Sequence, residues 1–277
     1  MALALAAAVG YGVSDFVGGV AARRVQALRV VIVSYPLSVL IVAMIAPLFG
    51  GTVSGAALLW GAASGVASGL AVWWFYLALA SGPMAVVSPL TAVLVAGIPV
   101  FVGVAVGERP SALAFAGIVL ALLAVALVSK ESHPGAELRF TPTVAWLTVG
   151  SGLAFAFAFI CLHKIDAGSG MWPLLASRIT ATVVVWAVAL GTGQFRAPRG
   201  EPLRLAVYVS FLDVVANAAM LYAFHGGYLS LVSVIGSLYP AATVLLAMML
   251  LGERVSRVQQ AGMVLALSAV GLIAGAG

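Results

Sequence analysis

The chain has 277 residues, of which 64% are hydrophobic and only 8% charged. A soluble domain needs about three times that charge to cover its surface, so the composition excludes a soluble protein and reads as an integral membrane one. The net charge of +5 comes from 13 basic against 8 acidic residues, and the basic ones sit mainly in short connections between apolar runs. That placement signals orientation in a bilayer and not nucleic-acid binding.

The apolar runs are continuous for about twenty residues, the length of a membrane-crossing helix, where a β-barrel would alternate over about ten. Ten spans are predicted, over residues 2–22, 28–49, 55–80, 84–106, 111–129, 143–163, 171–192, 203–225, 229–251 and 256–275. The first has no basic residue before its apolar core and holds Asp15 within it, so it reads as a retained span and not a secretory signal. The fourth contains Pro89 and Pro99 and the ninth Pro240, so both are expected to be irregular, with freed backbone carbonyls near Ser88, Thr91, Ser233 and Ser237. Between the fifth and sixth spans lies the most polar stretch, Lys130 to Arg139.

That stretch separates two copies of one unit. Residues 107–125 and 252–270 share twelve of nineteen positions, including Gly107-Glu108-Arg109 and Gly252-Glu253-Arg254, where this composition gives roughly two by chance. The domain reading is a five-helix repeat over 1–130, a polar connecting loop over 131–142 and a second repeat over 143–277. Five spans per copy put the two copies in opposite orientations, the arrangement of many carriers, with substrate held near the midplane between repeats. The fold class is therefore all-α and integral to the membrane, ten helices in two inverted five-helix repeats around a central cavity.

Three sets of residues resemble one known family: Tyr11-Gly12-Val13-Ser14-Asp15-Phe16, the duplicated Gly-Glu-Arg, and Ser237-Leu238-Tyr239-Pro240. The chain resembles the EamA-like family of the drug/metabolite transporter superfamily over its whole length. The resemblance implies a multi-pass carrier of the cell membrane, usually an exporter of amino acids or other small metabolites, with both termini in the cytoplasm. The basic residues argue the other way. Ten follow odd-numbered spans (Arg23, Arg24, Arg29, Lys130, Arg139, Arg196, Arg199, Arg204, Arg254 and Arg257) and two, Arg109 and Lys164, follow even ones. By that count both termini lie outside.

A charge at mid-bilayer costs about 2.5 to 3.5 kcal/mol on insertion scales, so such a residue faces protein or water and is a candidate by default. Asp15, Arg178 and Asp213 qualify. Asn217 follows Asp213 one helical turn on, giving a carboxylate and an amide on one face. That pair suits an ammonium, a hydroxyl or a proton, while the structural reading pairs Asp213 with Arg178 as an internal salt bridge. The candidate substrate-binding set is Asp213, Asn217, Ser237, Tyr239, Ser88, Ser233, Arg178 and Asp15, with proton coupling assigned to Asp213. Trp73, Trp74, Phe75, Tyr76, Tyr222, Phe224 and Tyr228 read as interfacial anchors or as an aromatic wall shaping a cavity for amphipathic ligands. Glu108 and Glu253 read as charges at the start of the helix that follows each, or as halves of a gate. No zinc motif, activated cysteine or phosphate-binding loop occurs, so neither an enzyme nor a cofactor is expected and transport would run on a gradient, exchange or uniport. The rival reading is a non-transporting membrane scaffold or a lipid translocator with a lateral groove.

Overall fold

The computed structural model describes residues 1–22, 24–81, 84–128, 141–251 and 256–275. These residues form an all-helical protein with α1 Ala2–Ala22, α2 Ala27–Ile45, α3 Gly55–Ser81, α4 Met84–Ala105, α5 Ala112–Val128, α6 Pro142–His163, α7 Trp172–Gly191, α8 Glu201–Gly226, α9 Leu229–Gly236, α10 Tyr239–Leu251 and α11 Arg257–Gly275. Six segments among them are long and apolar enough to cross a membrane: Leu28–Phe49, Gly55–Phe75, Pro142–His163, Trp172–Gly191, Glu201–Gly226 and Leu229–Leu250. Shorter apolar helices, Ala2–Gly18, Leu90–Ala105, Ala112–Leu127 and Arg257–Ile273, stand where the first, fourth, fifth and tenth spans were expected. The polar stretch between the copies and the second Gly-Glu-Arg lie outside the described residues. Thr141 begins the second half, its hydroxyl accepting the Val144 N–H at 3.3 Å as an N-cap.

The proline expectation holds for the ninth span and fails for the fourth. The ninth is broken at Ser237 and Leu238, between α9 and α10. The fourth is one helix, α4, running through Pro89 and Pro99; one missing donor per proline leaves the remaining ladder intact, and lipid offers the backbone no alternative partner. In α2, Pro36 removes the donor for the Ile32 carbonyl, and Trp186 of α7 supplies one instead, its indole N–H at 3.0 Å.

Packing between the halves comes in matched pairs. The third helix of the first half, α3, packs on α6 and α7, and the third helix of the second half, α8, packs on α1 and α2. Likewise α4 meets α6 and α10 meets α1, while α5 meets its own counterpart α11. Small residues allow the close approach. A side chain on Gly61 or Gly65 of α3 would run into the Pro173 and Ser177 carbonyls of α7, and one on Gly12 would meet the Tyr239 carbonyl and Ala242 of α10 at 2.6 Å.

The connections also touch across the halves. Arg24, after α1, forms an ion pair with Glu201 at the start of α8. Thr52, between α2 and α3, donates its N–H to the Gly168 carbonyl between α6 and α7 at 2.8 Å. Glu108, between α4 and α5, accepts the Leu229 and Ser230 N–H groups that open α9.

Candidate functional site

Polar residues from α1, α2, α7, α8 and α10 converge inside the bundle. Along α8 the exposed Arg204, Tyr208, Phe211 and Val215 form the outer stripe, whereas Ala206, Ser210, Asp213, Asn217 and Met220 share the face turned to the protein. Asp213 and Asn217 therefore face inward, as expected. One Asp213 oxygen accepts from Arg178 Nη1 at 2.8 Å and from the Ser38 hydroxyl at 3.2 Å. The other accepts from the Asn217 amide at 2.9 Å, and Asn217 in turn accepts from Arg178 Nη2 at 3.3 Å. Arg178 is 3% exposed, its guanidinium lies 5.6 Å from the Tyr35 ring centre, and its Nε has no partner among the described residues. Both readings of Asp213 thus meet in one place: it is bonded to Arg178, and its side chain keeps 16% of its surface open. A buried guanidinium held by a carboxylate, an amide and an aromatic face is neutralised where it stands, which makes it a fixed element of the interior.

Asp15 is placed differently. It continues the line of Ala4, Ala8 and Tyr11 on α1, the face packed against the protein, yet it is exposed. The opposite stripe, Ala2, Leu5, Ala6 and Val9, is the outer one. Asp15 lies within electrostatic reach of Asp213, and Tyr239 at the start of α10 lies within reach of Asp15. Tyr11 is close enough to feel Asp213, Arg178, Tyr35 and Asp15.

The remaining candidates are more scattered. Ser237 is fully buried and donates to the Val234 carbonyl at 2.8 Å, so its hydroxyl is used within its own turn. Ser233 is buried on α9 with its hydroxyl unpartnered among the described residues. Ser88 lies on α4, and its side chain is outside the described set. Two residues on α2 were missed by sequence reasoning: Tyr35 and Ser38. The available signal was the Tyr-Pro pair of α2, Tyr35-Pro36, which repeats at Tyr239-Pro240; both tyrosines border the same cluster.

Glu108 does not serve the helix that follows it. Ser111 caps α5, its hydroxyl accepting the Ala114 N–H at 3.2 Å, and Glu108 reaches across to the N-terminus of α9, with Ser230 N at 3.0 Å. Gly103 leaves the space its carboxylate occupies. Glu108→Ala should remove two charge-assisted bonds and lower stability by about 1.5 to 3 kcal/mol. Thermal unfolding of the detergent-solubilised variant checks this; an unchanged midpoint would show that the cap carries no energy.

Residues 142–275 match the profile of the EamA-like transporter family, a family of the drug/metabolite transporter superfamily. The match covers the second half of the chain. It contains the second Gly-Glu-Arg and the Tyr239-Pro240 pair, whereas Tyr11 and the first Gly-Glu-Arg lie outside it, and the six long apolar helices fit an integral multi-pass membrane protein. One solved crystal structure superposes with a TM-score of 0.74 at 14% identity, covering 97% of this chain and 98% of the other, so the two share a fold. No curated protein sequence matches the chain. Among the described residues no group of three or more His, Cys, Asp or Glu is placed to hold a metal ion.

Proposed function

We propose that this EamA-like protein is a secondary transporter of the cell membrane that exports small polar or amphipathic metabolites by alternating access between two inverted five-helix repeats. The observation that carries the reading is the pattern of contacts between connections. Each of the three joins an odd-numbered connection of one half to an even-numbered one of the other: first to second, second to first, fourth to third. Equivalent connections of two parallel copies would share a membrane face, so odd would meet odd. Contacts of odd with even fit copies that run in opposite directions. The matched helix pairs α3 with α6 and α8 with α1 agree with a pseudo-twofold axis in the membrane plane.

In this reading the interior cluster is the midplane site. Asp213, Asn217 and Arg178 form its fixed wall, Asp15 and Tyr239 its accessible side, and Ser88, Ser233 and Ser237 line the two helices that move, with the break at Ser237 and Leu238 as a hinge. Proton coupling through Asp213 is weakened by its commitment to Arg178, Ser38 and Asn217; Asp15 has no such commitment among the described residues and is the better carrier of a coupling proton.

A lipid translocator keeps one supporting observation. A groove of about 360 Å³ opens between α3 and α6, lined by Trp74, Thr143, Trp146, Leu147 and Gly150, and Trp146 is 78% exposed. The two readings separate in proteoliposomes. A transporter should release a labelled water-soluble amine or amino acid from loaded vesicles faster than protein-free vesicles do, and Asn217→Ala should slow that release severalfold. Scrambling of a fluorescent phospholipid with no solute release would instead establish the translocator.

A further inference from the structure

The interior has an unbalanced charge. Arg178 is the buried basic side chain of the cluster, and its charge is matched by Asp213 at 2.8 Å. Asp15 is left over. It faces the protein side of α1, it is exposed there, and among the described residues it has neither a hydrogen-bond partner nor a positive side chain acting on it; the charge that does act on it is the negative one of Asp213. An exposed acidic group on an inward face, in a region of low dielectric, attracts positive charge strongly.

Its surroundings fit an organic cation. Tyr239 at the start of α10 and Tyr11 one turn earlier on α1 both lie within electrostatic reach of it, and aromatic faces favour ammonium groups. The position is fixed from behind, because α1 and α10 are held together by Gly12 against Ala242 and by the Thr243 hydroxyl donating to the Gly12 carbonyl at 3.0 Å. Arg178 is a poor counterpart for a substrate carboxylate: it is 3% exposed, and its two terminal nitrogens are bonded to Asp213 and Asn217. A zwitterion entering here would meet a free acid for its ammonium and, for its carboxylate, a guanidinium whose terminal nitrogens are already taken.

We propose that Asp15, flanked by Tyr11 and Tyr239, is a recognition site for ammonium-bearing small molecules, and that it selects organic amines over amino acids and anions. This rests on the transport reading for its biological use but not for its chemistry. The test uses the purified full-length chain in detergent and three compounds of one shape: phenethylamine, its N-acetyl derivative and phenylacetate. At about 10 mM, phenethylamine should raise the unfolding midpoint by about 3 °C, and the neutral and anionic compounds should leave it in place. Asp15→Asn should abolish the amine effect and Asp15→Glu should keep most of it. No amine effect, an equal effect of the N-acetyl compound, or an amine effect undiminished in Asp15→Asn would overturn the site. If Asp15→Asn does not fold, the comparison of the three compounds on the unaltered chain decides alone. Flux separates the two claims: amine stabilisation without release from vesicles would refute transport and leave the site, whereas release of all three compounds at equal rates would refute the site and leave transport.

Discussion

Arg178→Met is expected to destabilise the protein by about 3 to 5 kcal/mol, because it strands the Asp213 carboxylate in the interior with only Ser38 and Asn217 as donors. Asp213→Leu should be as damaging, since it strands a guanidinium that is 3% exposed. The double variant Arg178→Met/Asp213→Leu should recover most of the loss: a buried ion pair replaced by apolar groups of similar volume is often near neutral, and the coupling between the two sites should exceed about 2 kcal/mol. Equilibrium unfolding of the four proteins in mixed micelles measures the cycle. Additive single effects would mean that the pair is not an energetic unit and that the rigid wall assigned to it does not exist.

The second large effect concerns the seam between α3 and α7. Gly65→Leu puts a side chain where the Ser177 carbonyl and the Thr180 hydroxyl already are. Neither can yield easily: the carbonyl belongs to the backbone of α7, and the hydroxyl donates to the Ala62 carbonyl at 2.9 Å. The helices must separate, so the cost should reach the upper end of overpacking effects, about 3 kcal/mol or more, and the variant should be lost to aggregation during purification. Gly191→Leu is the matched comparison, because nothing lies within 4 Å of a side chain built there; its elution profile should equal that of the unaltered protein. Monodisperse, normally stable Gly65→Leu would show that α3 and α7 are not in close contact.

What sequence reading reached and what it missed divide along a physical line. The break in the ninth span was marked by Pro240 and the inward face of α8 by Asp213 and Asn217, since a proline or a charge in an apolar run is costly and therefore conspicuous. The salt bridge to Arg178 followed from the same cost. Proline alone was an incomplete guide, because Pro89 and Pro99 leave α4 unbroken. The contribution of α2 was hidden: a tyrosine and a serine carry no charge and cost little in lipid, so nothing set Tyr35 and Ser38 apart from packing residues. The target of Glu108 was unreadable for another reason. Its partners are backbone N–H groups more than a hundred residues away, which every residue but proline possesses.

The central claim is that the two halves run in opposite directions through the bilayer. Single cysteines introduced at Arg24, Glu201, Thr52, Arg109 and Gly168, on a Cys161→Ser background, can be labelled in sealed right-side-out vesicles with a membrane-impermeant thiol reagent. Inverted halves place positions 24 and 201 on one face and 52, 109 and 168 on the other, so the two groups should label with opposite sidedness. Labelling of 24 and 168, the first connections of the two halves, from the same face would contradict the account.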